Sequence, residues 1–403
     1  MEKKITIGTT SIGTKSKKLI NEILDSGRIS MGKYVALLEK EFANYHKVKE
    51  CIAVATGTDA VTIAVASCIN LNQNNKSPEV ILPALTFIAS ANGIVNAGAK
   101  PVFVDIDLDT YQIKVEQIEN KITSHTLALL PVHLLGHPAD MDSITAIADK
   151  HKIFVIEDAA EAHGALYKQK KVGTMGIAGA FSFYVAHIIT TGEGGAIITN
   201  NEEFASLARS LRAHGRACKC KKCVLNISSQ YCPLRFKYEK KEGFDPRFYF
   251  EHIGYSSKMN ELEAALGIEQ IESLDKIINK RRKNFFYLNH QLKDLEEYFH
   301  LLKEKEDVKI SPLVYPLTIR KGAPFNRQDI TIYLEKKGIE TRPIFGCIPT
   351  QQPAYRFMNH RYGEFPNAEY VGENGFYLGV HQNLTEQDLD YIVEAIHNFV
   401  NSR

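Results

Sequence analysis

An α/β fold is predicted for this chain: a mostly parallel sheet flanked by helices, with a smaller α+β domain at the C-terminal end. Two patterns in its 403 residues carry that expectation. Over the first two-thirds, short β-branched runs alternate with amphipathic helical periods, as βαβ units require. From about residue 285 that alternation gives way to a separate set of strands and helices.

The strand candidates are Glu50 to Ala55, Glu79 to Leu82, Pro101 to Val104, Ala128 to Val132, Ile153 to Ile156, Gly179 to Ser182 and Ala196 to Thr199. Most begin or end at Gly, Pro, Asp or Thr, which interrupt a pleated run. Helices are expected at Thr58 to Ile69, Ser90 to Asn96, Met141 to His151 and Glu202 to Arg212. Between Ala217 and Phe250 charge, aromatics and cysteines erase any period, so residues 217–250 read as a long ordered loop. A helical period resumes at Asn260 to Leu274 and continues into a basic helix with Lys280, Arg281 and Arg282. The terminal domain offers a strand at Lys309 to Thr318 and helices at Arg327 to Lys337 and Glu386 to Asn401. A large domain over 1–270 and a small one over 271–403 follow.

Composition narrows the function classes. The 44% hydrophobic and 24% charged content is ordinary for a globular protein. A net charge of +2 gives no reason to expect nucleic acid or an anionic membrane surface as partner. The lysine runs Lys15 to Lys18, Lys168 to Lys171 and Lys219 to Lys222 read as solvated loops or helix faces. No apolar stretch approaches the ~20 residues that span a bilayer, and Met1-Glu-Lys-Lys-Ile lacks the apolar core of a secretion signal. A cytoplasmic protein is expected, its seven cysteines thiols or metal ligands rather than disulfides.

Several polar residues stand at strand ends, where open α/β sheets bind ligands. Thr56-Gly57-Thr58 ends a strand and opens a helix, so its backbone N–H groups can hold a phosphate. Ser182, at the end of a later strand, can donate to the same group. Asp158 closes the apolar run from Ile153, and Phe87 follows a strand with a ring free to stack on a ligand or to join the core. Singly, each is more often structural than functional. Their order along the chain changes that.

The run Phe181-Ser-Phe-Tyr-Val-Ala-His187-Ile-Ile-Thr-Thr-Gly-Glu-Gly-Gly195 resembles the sugar aminotransferases of pyridoxal phosphate (PLP) fold type I, which read S-F-x-x-x-K-x-x-T-x-G-E-G-G. Glu157-Asp-Ala-Ala-Glu-Ala-His163-Gly, Arg212-Ala-His214-Gly and Gly254-Tyr-x-x-x-Met259 match the same family in order, so the resemblance spans nearly the whole chain. It implies Gly57, Thr58 and Ser182 on the cofactor phosphate, Phe87 on the ring, Asp158 on the pyridinium nitrogen, and a homodimer with shared sites. Where the family has asparagine and arginine in G-Y-N-x-R-M, this chain has Ser256 and Lys258, which puts the phosphate contact across the dimer in question. Where it often has glutamine, this chain has Glu161, implying either altered chemistry or a different hydrogen bond to the ring.

His187 occupies the lysine position. An imidazole cannot form the Schiff base that a lysine forms, yet it moves protons near neutrality. Three readings compete: a silent binding protein, an aminotransferase with another base, or a dehydrase. Histidine here is similar to the 4-keto-6-deoxyhexose 3-dehydrases, which hold pyridoxamine phosphate (PMP) noncovalently. Thr341-Arg342-Pro-Ile-Phe, Gln352-Pro-Ala-Tyr355 and Phe376-Tyr-Leu-Gly-Val-His381-Gln382 resemble that group too. The resemblance implies a nucleotide-linked keto-sugar substrate, His187 as base in removal of the C3 hydroxyl, and His214 and Arg342 as candidate substrate contacts.

Cys218, Cys220, Cys223 and Cys232 crowd into fifteen residues, a density that signals a metal site or a structural zinc with four thiolates. Gly215-Arg-Ala-Cys218-Lys-Cys220 and Cys232-Pro-Leu-Arg-Phe236 resemble the CDP-sugar 3-dehydrases, which implies an iron–sulfur cluster fed by an external reductase. That group's remaining ligand falls at Ala160 here, and Cys223 is the substitute expected to complete the set. Zinc or free thiols stay the alternatives, because spacing alone does not separate zinc from a cluster. The resemblance then implies a glutamate-coupled 3-dehydratase with a structural cysteine loop. Cys51, Cys68 and Cys347 read as buried thiols.

Overall fold

The computed structural model describes residues 4–73, 76–221, 223–227 and 231–403. Lys222 of the third lysine run and Met1 to Lys3 lie outside these described residues.

Two helices, α1 (Thr14–Ser26) and α2 (Lys33–His46), precede the first strand β1 (Glu50–Val54). The next helix, α3 (Gly57–Leu71), is apolar nearly all round, and nine consecutive residues from Ala60 to Cys68 are buried. Such a helix needs protein on every side. The strands β2 (Glu79–Pro83), β3 (Lys100–Val104), β4 (Thr126–Leu129) and β5 (Phe154–Asp158) follow, with α4 (Ile88–Asn96) and α5 (Met141–His151) between them. A small hairpin of β6 (Leu166–Tyr167) and β7 (Lys170–Lys171) leads into β8 (Ala178–Ser182) and β9 (Gly195–Thr199), and α6 (Glu202–Leu211) closes the run.

The large sheet has the order β1-β9-β8-β5-β4-β2-β3. All neighbours from β3 to β8 run parallel, whereas β9 is antiparallel to both β8 and β1. The sheet is thus mostly parallel, as the sequence predicts, with β9 as its one reversed strand. β1, β8 and β9 are buried along their whole length, and such a strand reads alike in either direction.

Residues 217–250 are not simply a loop. They carry a turn of helix, α7 (Val224–Ile227), and α8 (Pro233–Glu242), which starts on a proline and ends at Gly243 with φ of 79°. α8 buries none of its residues, so it shows no apolar stripe for a sequence period to reveal.

The expected period at Asn260 becomes one 31-residue helix, α9 (Glu261–Gln291), started by a capping box between Asn260 and Glu263. It carries the chain to a second sheet ordered β10-β12-β14-β13, made of β10 (Phe299–Leu301), β12 (Val314–Ile319), β13 (Thr341–Pro343) and β14 (Gly375–Gly379). The strand expected at Lys309 to Thr318 is broken. Its first part, β11 (Val308–Lys309), joins the β6–β7 hairpin instead. Ser311 N–H donates to Gly136 at 2.9 Å, and the following Pro312 has no N–H to continue a ladder. Four helices, α10 (Arg327–Lys336), α11 (Ile348–Gln351), α12 (Pro366–Asn374) and α13 (Glu386–Asn401), complete the unit. Among the described residues, no helix is long and apolar enough to cross a membrane.

Candidate cofactor and substrate site

Four strand ends build the site. β1 runs into Thr56, whose side chain accepts from Asp59 N–H at 3.0 Å and so caps α3 with its free amides at Gly57 and Thr58. A Cβ on Gly57 would stand 2.4 Å from Ser182 Cβ at the end of β8. Only glycine lets the helix N-terminus and the Ser182 hydroxyl face one another so closely, an arrangement of donors that could hold a phosphate.

At the end of β5, Asp158 is buried and accepts Ser90 Oγ–H at 2.7 Å and Ala160 N–H at 3.2 Å. Burial raises its carboxyl above the ordinary range, and the two hydrogen bonds oppose that rise. Among the described residues no ion pair neutralises it. A pyridinium N–H would supply the missing donor. Phe87 is not a core aromatic: its side chain is 54% exposed, tilted against Phe345 with centroids 5.6 Å apart.

His187 lies just beyond β8, with Nδ1 3.3 Å from the Ser182 carbonyl. A carbonyl only accepts, so Nδ1 carries the hydrogen and Nε2 keeps its lone pair. Burial pushes the ring down to about 4, and the Arg281 charge adds to that. The imidazole is therefore neutral at physiological pH and able to take a proton.

Glu161 lies near Asp158, its Oε2 accepting Leu135 N–H at 2.7 Å. Burial raises its carboxyl to about 7, the Asp158 charge adds, and the Leu135 amide opposes. Between its ordinary value of 4.5 and about 7, the folded chain keeps a proton that the unfolded chain releases. Stability should thus fall as pH rises through that window and then level off. Glu161→Gln removes this cost, and is expected to gain up to about 3 kcal/mol on wild type between about pH 5 and about pH 8. Thermal melts at the two pH values check it, and an unchanged difference would show that Glu161 does not titrate there.

The substrate candidates are less tightly gathered. Arg342 on β13 is ion-paired with Glu340 and donates to the Thr341 carbonyl at 2.8 Å. Its register partner Tyr377 is pushed up to about 12 by burial, with Glu161 adding and Arg342 opposing, so both charges lie near that ring. His214 is held at φ of 69° and lies 3.5 Å from Lys258 Nζ, which also reaches Ser256 Oγ at 3.3 Å. Lys258 pairs with the end of β1 at Val54, and Ser257 Oγ donates to Asp59 at 2.9 Å, so this segment borders the phosphate cradle. Burial and then Arg216 and Arg212 draw the Lys258 amine down.

The cysteines gather only in part. Cys218 and Cys220 act on one another, which raises Cys218 and draws Cys220 down to about 7 against its burial. The fields of Cys223 and Cys232 also reach Cys220. Yet among the described residues no three His, Cys, Asp or Glu side chains converge into a metal-holding group. The four-thiolate set expected for a cluster or zinc is not assembled among them. Cys51, Cys68 and Cys347 are buried free thiols, as expected.

Two residues of the site escaped the sequence reading. Ser90 orients Asp158 from the first turn of α4, with nothing in its surroundings to mark it. Arg281, fully buried beside His187, stands in the sequence simply as one cation of a basic helix. Its spacing with Leu274, Ile278, Phe285 and Leu288 puts it on the core face, a signal that was present.

A family model described as the DegT/DnrJ/EryC1/StrS aminotransferase family matches residues 10–397. Among curated proteins, a GDP-perosamine synthase from Escherichia coli O157:H7 is 34% identical over 402 residues, covering 100% of each chain. A dTDP-4-dehydro-2,6-dideoxy-D-glucose 3-dehydratase from Saccharopolyspora spinosa is 34% identical over 383 residues, 93% of this chain and 81% of that one. Among solved structures, an E coli GDP-4-keto-6-deoxy-D-mannose-3-dehydratase with bound hydrated PLP superposes with a TM-score of 0.86 at 30% identity, covering 97% and 98% of the two chains. The relatives thus include both aminotransferases and 3-dehydratases, and the chain belongs to the DegT/DnrJ/EryC1/StrS aminotransferase family.

Proposed function

We propose that this chain is a 3-dehydratase of nucleotide-linked 4-keto-6-deoxyhexoses that holds pyridoxamine phosphate without a covalent bond. One observation carries the reading: His187 stands after β8 as a neutral imidazole with Nδ1 engaged and Nε2 free. When bound, PMP supplies an amine for the sugar ketone and a sink for the electrons that break the C3–O bond.

The chain's own residues do the rest. Gly57 and Thr58 amides with the Ser182 hydroxyl hold the phosphate, and Asp158 keeps a proton on the ring nitrogen. Phe87 covers one ring face. His187 Nε2 takes the proton whose removal drives elimination and returns it to the departing oxygen, which leaves as water. Glu161, titrating near neutrality, is placed to hold a second proton. In balance, the sugar loses one oxygen as water, and glutamate supplies two electrons, ending as 2-oxoglutarate and ammonia. His214 and Arg342 are the proposed sugar-nucleotide contacts.

The reading extends to a homodimer. Phe248, Phe250 and Ile253, the last 99% exposed, form an apolar edge beside the Ser256 segment that a partner subunit would cover. Light scattering at twice the chain mass is the expected result.

The position of His187 is tested by His187→Lys. After loading with the aldehyde form, PLP, and borohydride reduction of the resulting imine, the variant is expected to carry a stable mass increase of one cofactor, and wild type none at this position. A variant without that increase would remove His187 from the cofactor's reach.

A second reading adds an iron–sulfur cluster on Cys218, Cys220, Cys223 and Cys232, with a partner reductase. It is supported by the crowding of these four cysteines into fifteen residues, with the other three all acting on the Cys220 thiol. Iron and acid-labile sulfide in stoichiometric amounts on anaerobically purified protein would favour it over the glutamate-coupled form. Zinc there would make the cysteine loop structural.

A further inference from the structure

His187 lies on the loop that joins β8 to β9, so groups outside the sheet ladder must hold it in place. The loop is stitched at its mouth. Phe183 N–H donates to the Gly194 carbonyl at 2.9 Å, and the Phe183 carbonyl accepts Thr191 N–H at 2.9 Å and Thr190 Oγ1–H at 2.8 Å. The Thr190 hydroxyl in turn accepts Gly192 N–H at 2.9 Å. On the other limb, His187 N–H donates to the Tyr184 carbonyl at 2.9 Å.

The backbone of Thr190, three residues after His187, is met from outside the loop by one side chain. Gln270 on α9 accepts Thr190 N–H at Oε1 at 2.9 Å, and its Nε2–H donates to the Thr190 carbonyl. The second Nε2 hydrogen goes to the Leu266 carbonyl at 3.0 Å, within the helix. Two carbonyls at one end of the amide and an N–H at the other allow a single orientation. Gln270 therefore pairs with Thr190 as a neighbouring strand would, giving one bond and taking one.

A glycine brings α9 close enough for this. A Cβ on Gly267 would stand 2.9 Å from Thr191 Cγ2 and 2.5 Å from Leu38 Cδ1, so the helix lies directly against the loop one turn before Gln270. Thr190 and Thr191 are buried, where water does not replace a lost partner. Without the amide, a buried N–H and a buried carbonyl lose their partners, and the loop has to move to find others. A reacting group misplaced by ~1 Å loses on the order of a hundredfold in rate.

We propose that Gln270 is a positioning residue, whose amide clamps Thr190 and so sets where residue 187 stands against the cofactor. It acts through the backbone of the loop, and it matters in this way only if residue 187 faces the cofactor, as read above.

The rate of PLP capture by the His187→Lys protein reads that placement without any sugar substrate. His187→Lys alone and His187→Lys with Gln270→Met are mixed with saturating PLP, quenched with borohydride at timed intervals and weighed by mass spectrometry. Methionine keeps the length of the side chain and removes its donor and acceptor. Capture is expected to slow by about 10–100-fold in the double variant, while calorimetry finds the PMP affinity of Gln270→Met unchanged. If the methionine variant does not fold, Gln270→Glu keeps an acceptor for Thr190 N–H and loses the donor to the carbonyl. A smaller slowing in the same direction is then expected. Equal capture rates with and without the Gln270 substitution would overturn the clamp and leave the reading of His187 standing. No capture by His187→Lys itself would overturn both. A loss of PMP affinity as large as the loss in capture rate would also overturn the clamp, since Gln270 would then support the whole site rather than residue 187.

Discussion

His187→Ala is expected to lower C3 deoxygenation by about 10²–10⁴-fold, the usual worth of a positioned general acid–base group, while PMP binding stays within a few-fold of wild type. The reason lies in how the ring is held. Its Nδ1 is spent on the Ser182 carbonyl, so Nε2 is the atom that can take a proton, and alanine leaves nothing in its place. Asp158 and the Gly57–Thr58 turn sit on other strand ends, and Ser182, which shares its strand end with His187, holds the ring through its carbonyl and leaves its hydroxyl for the phosphate. Turnover measured beside cofactor affinity separates the two effects. A variant that loses both equally would show a packing role for His187 rather than a chemical one. The pH profile adds a second readout. With the ring pushed down to about 4, its base form persists across the neutral range and activity is lost only as pH falls toward that value. An acid limb with a midpoint of about 6.5, the ordinary imidazole value, would contradict a buried base. A limb near 7 that disappears in Glu161→Gln would belong to Glu161 instead.

Asp158→Asn is expected to lower turnover by about 10²–10³-fold, the loss seen when one preorganised electrostatic partner is removed. The amide keeps the shape and the Ser90 hydrogen bond but cannot hold a proton on the ring nitrogen. Burial already raises the Asp158 carboxyl, and Ser90 with the Ala160 amide works against that rise. Ser90→Ala should therefore act in the same direction and more weakly, within about tenfold, since it removes one hydrogen bond worth about 1 kcal/mol. Steady-state kinetics with the absorbance of the bound cofactor would check both. Equal losses from the two variants would mean that Ser90 does more than orient the carboxylate.

The residues that announce this site are those whose role depends on where a strand stops. Asp158 and Ser182 each close a run of buried apolar residues, so the strand pattern places them at the sheet's carboxyl edge without further information. Gly57 is legible for a similar reason, since a turn into a helix marks it, though only the structure shows Ser182 filling the space of its missing side chain. Strand direction was hidden: β9, buried throughout, carries no alternation to distinguish antiparallel from parallel. The helix α8 was hidden because it buries nothing. The break after Lys309 depends on Ser311 bonding to Gly136, a partner 175 positions away that no local pattern contains. The cysteine loop failed in the opposite way. Its density promised four ligands, whereas among the described residues the thiols do not converge into a metal-holding group. Spacing reports which thiols are near in sequence, and convergence on one point needs backbone turns that spacing does not encode.

The most direct test is the product formed from a nucleotide-linked 4-keto-6-deoxyhexose by the PMP-loaded protein with glutamate present, read by mass spectrometry and proton NMR. The expected product is lighter by one oxygen atom, with a methylene at C3 and the ketone retained at C4. An amino sugar with its C3 hydroxyl intact would contradict the dehydratase reading and make this chain an aminotransferase that works without a lysine at position 187.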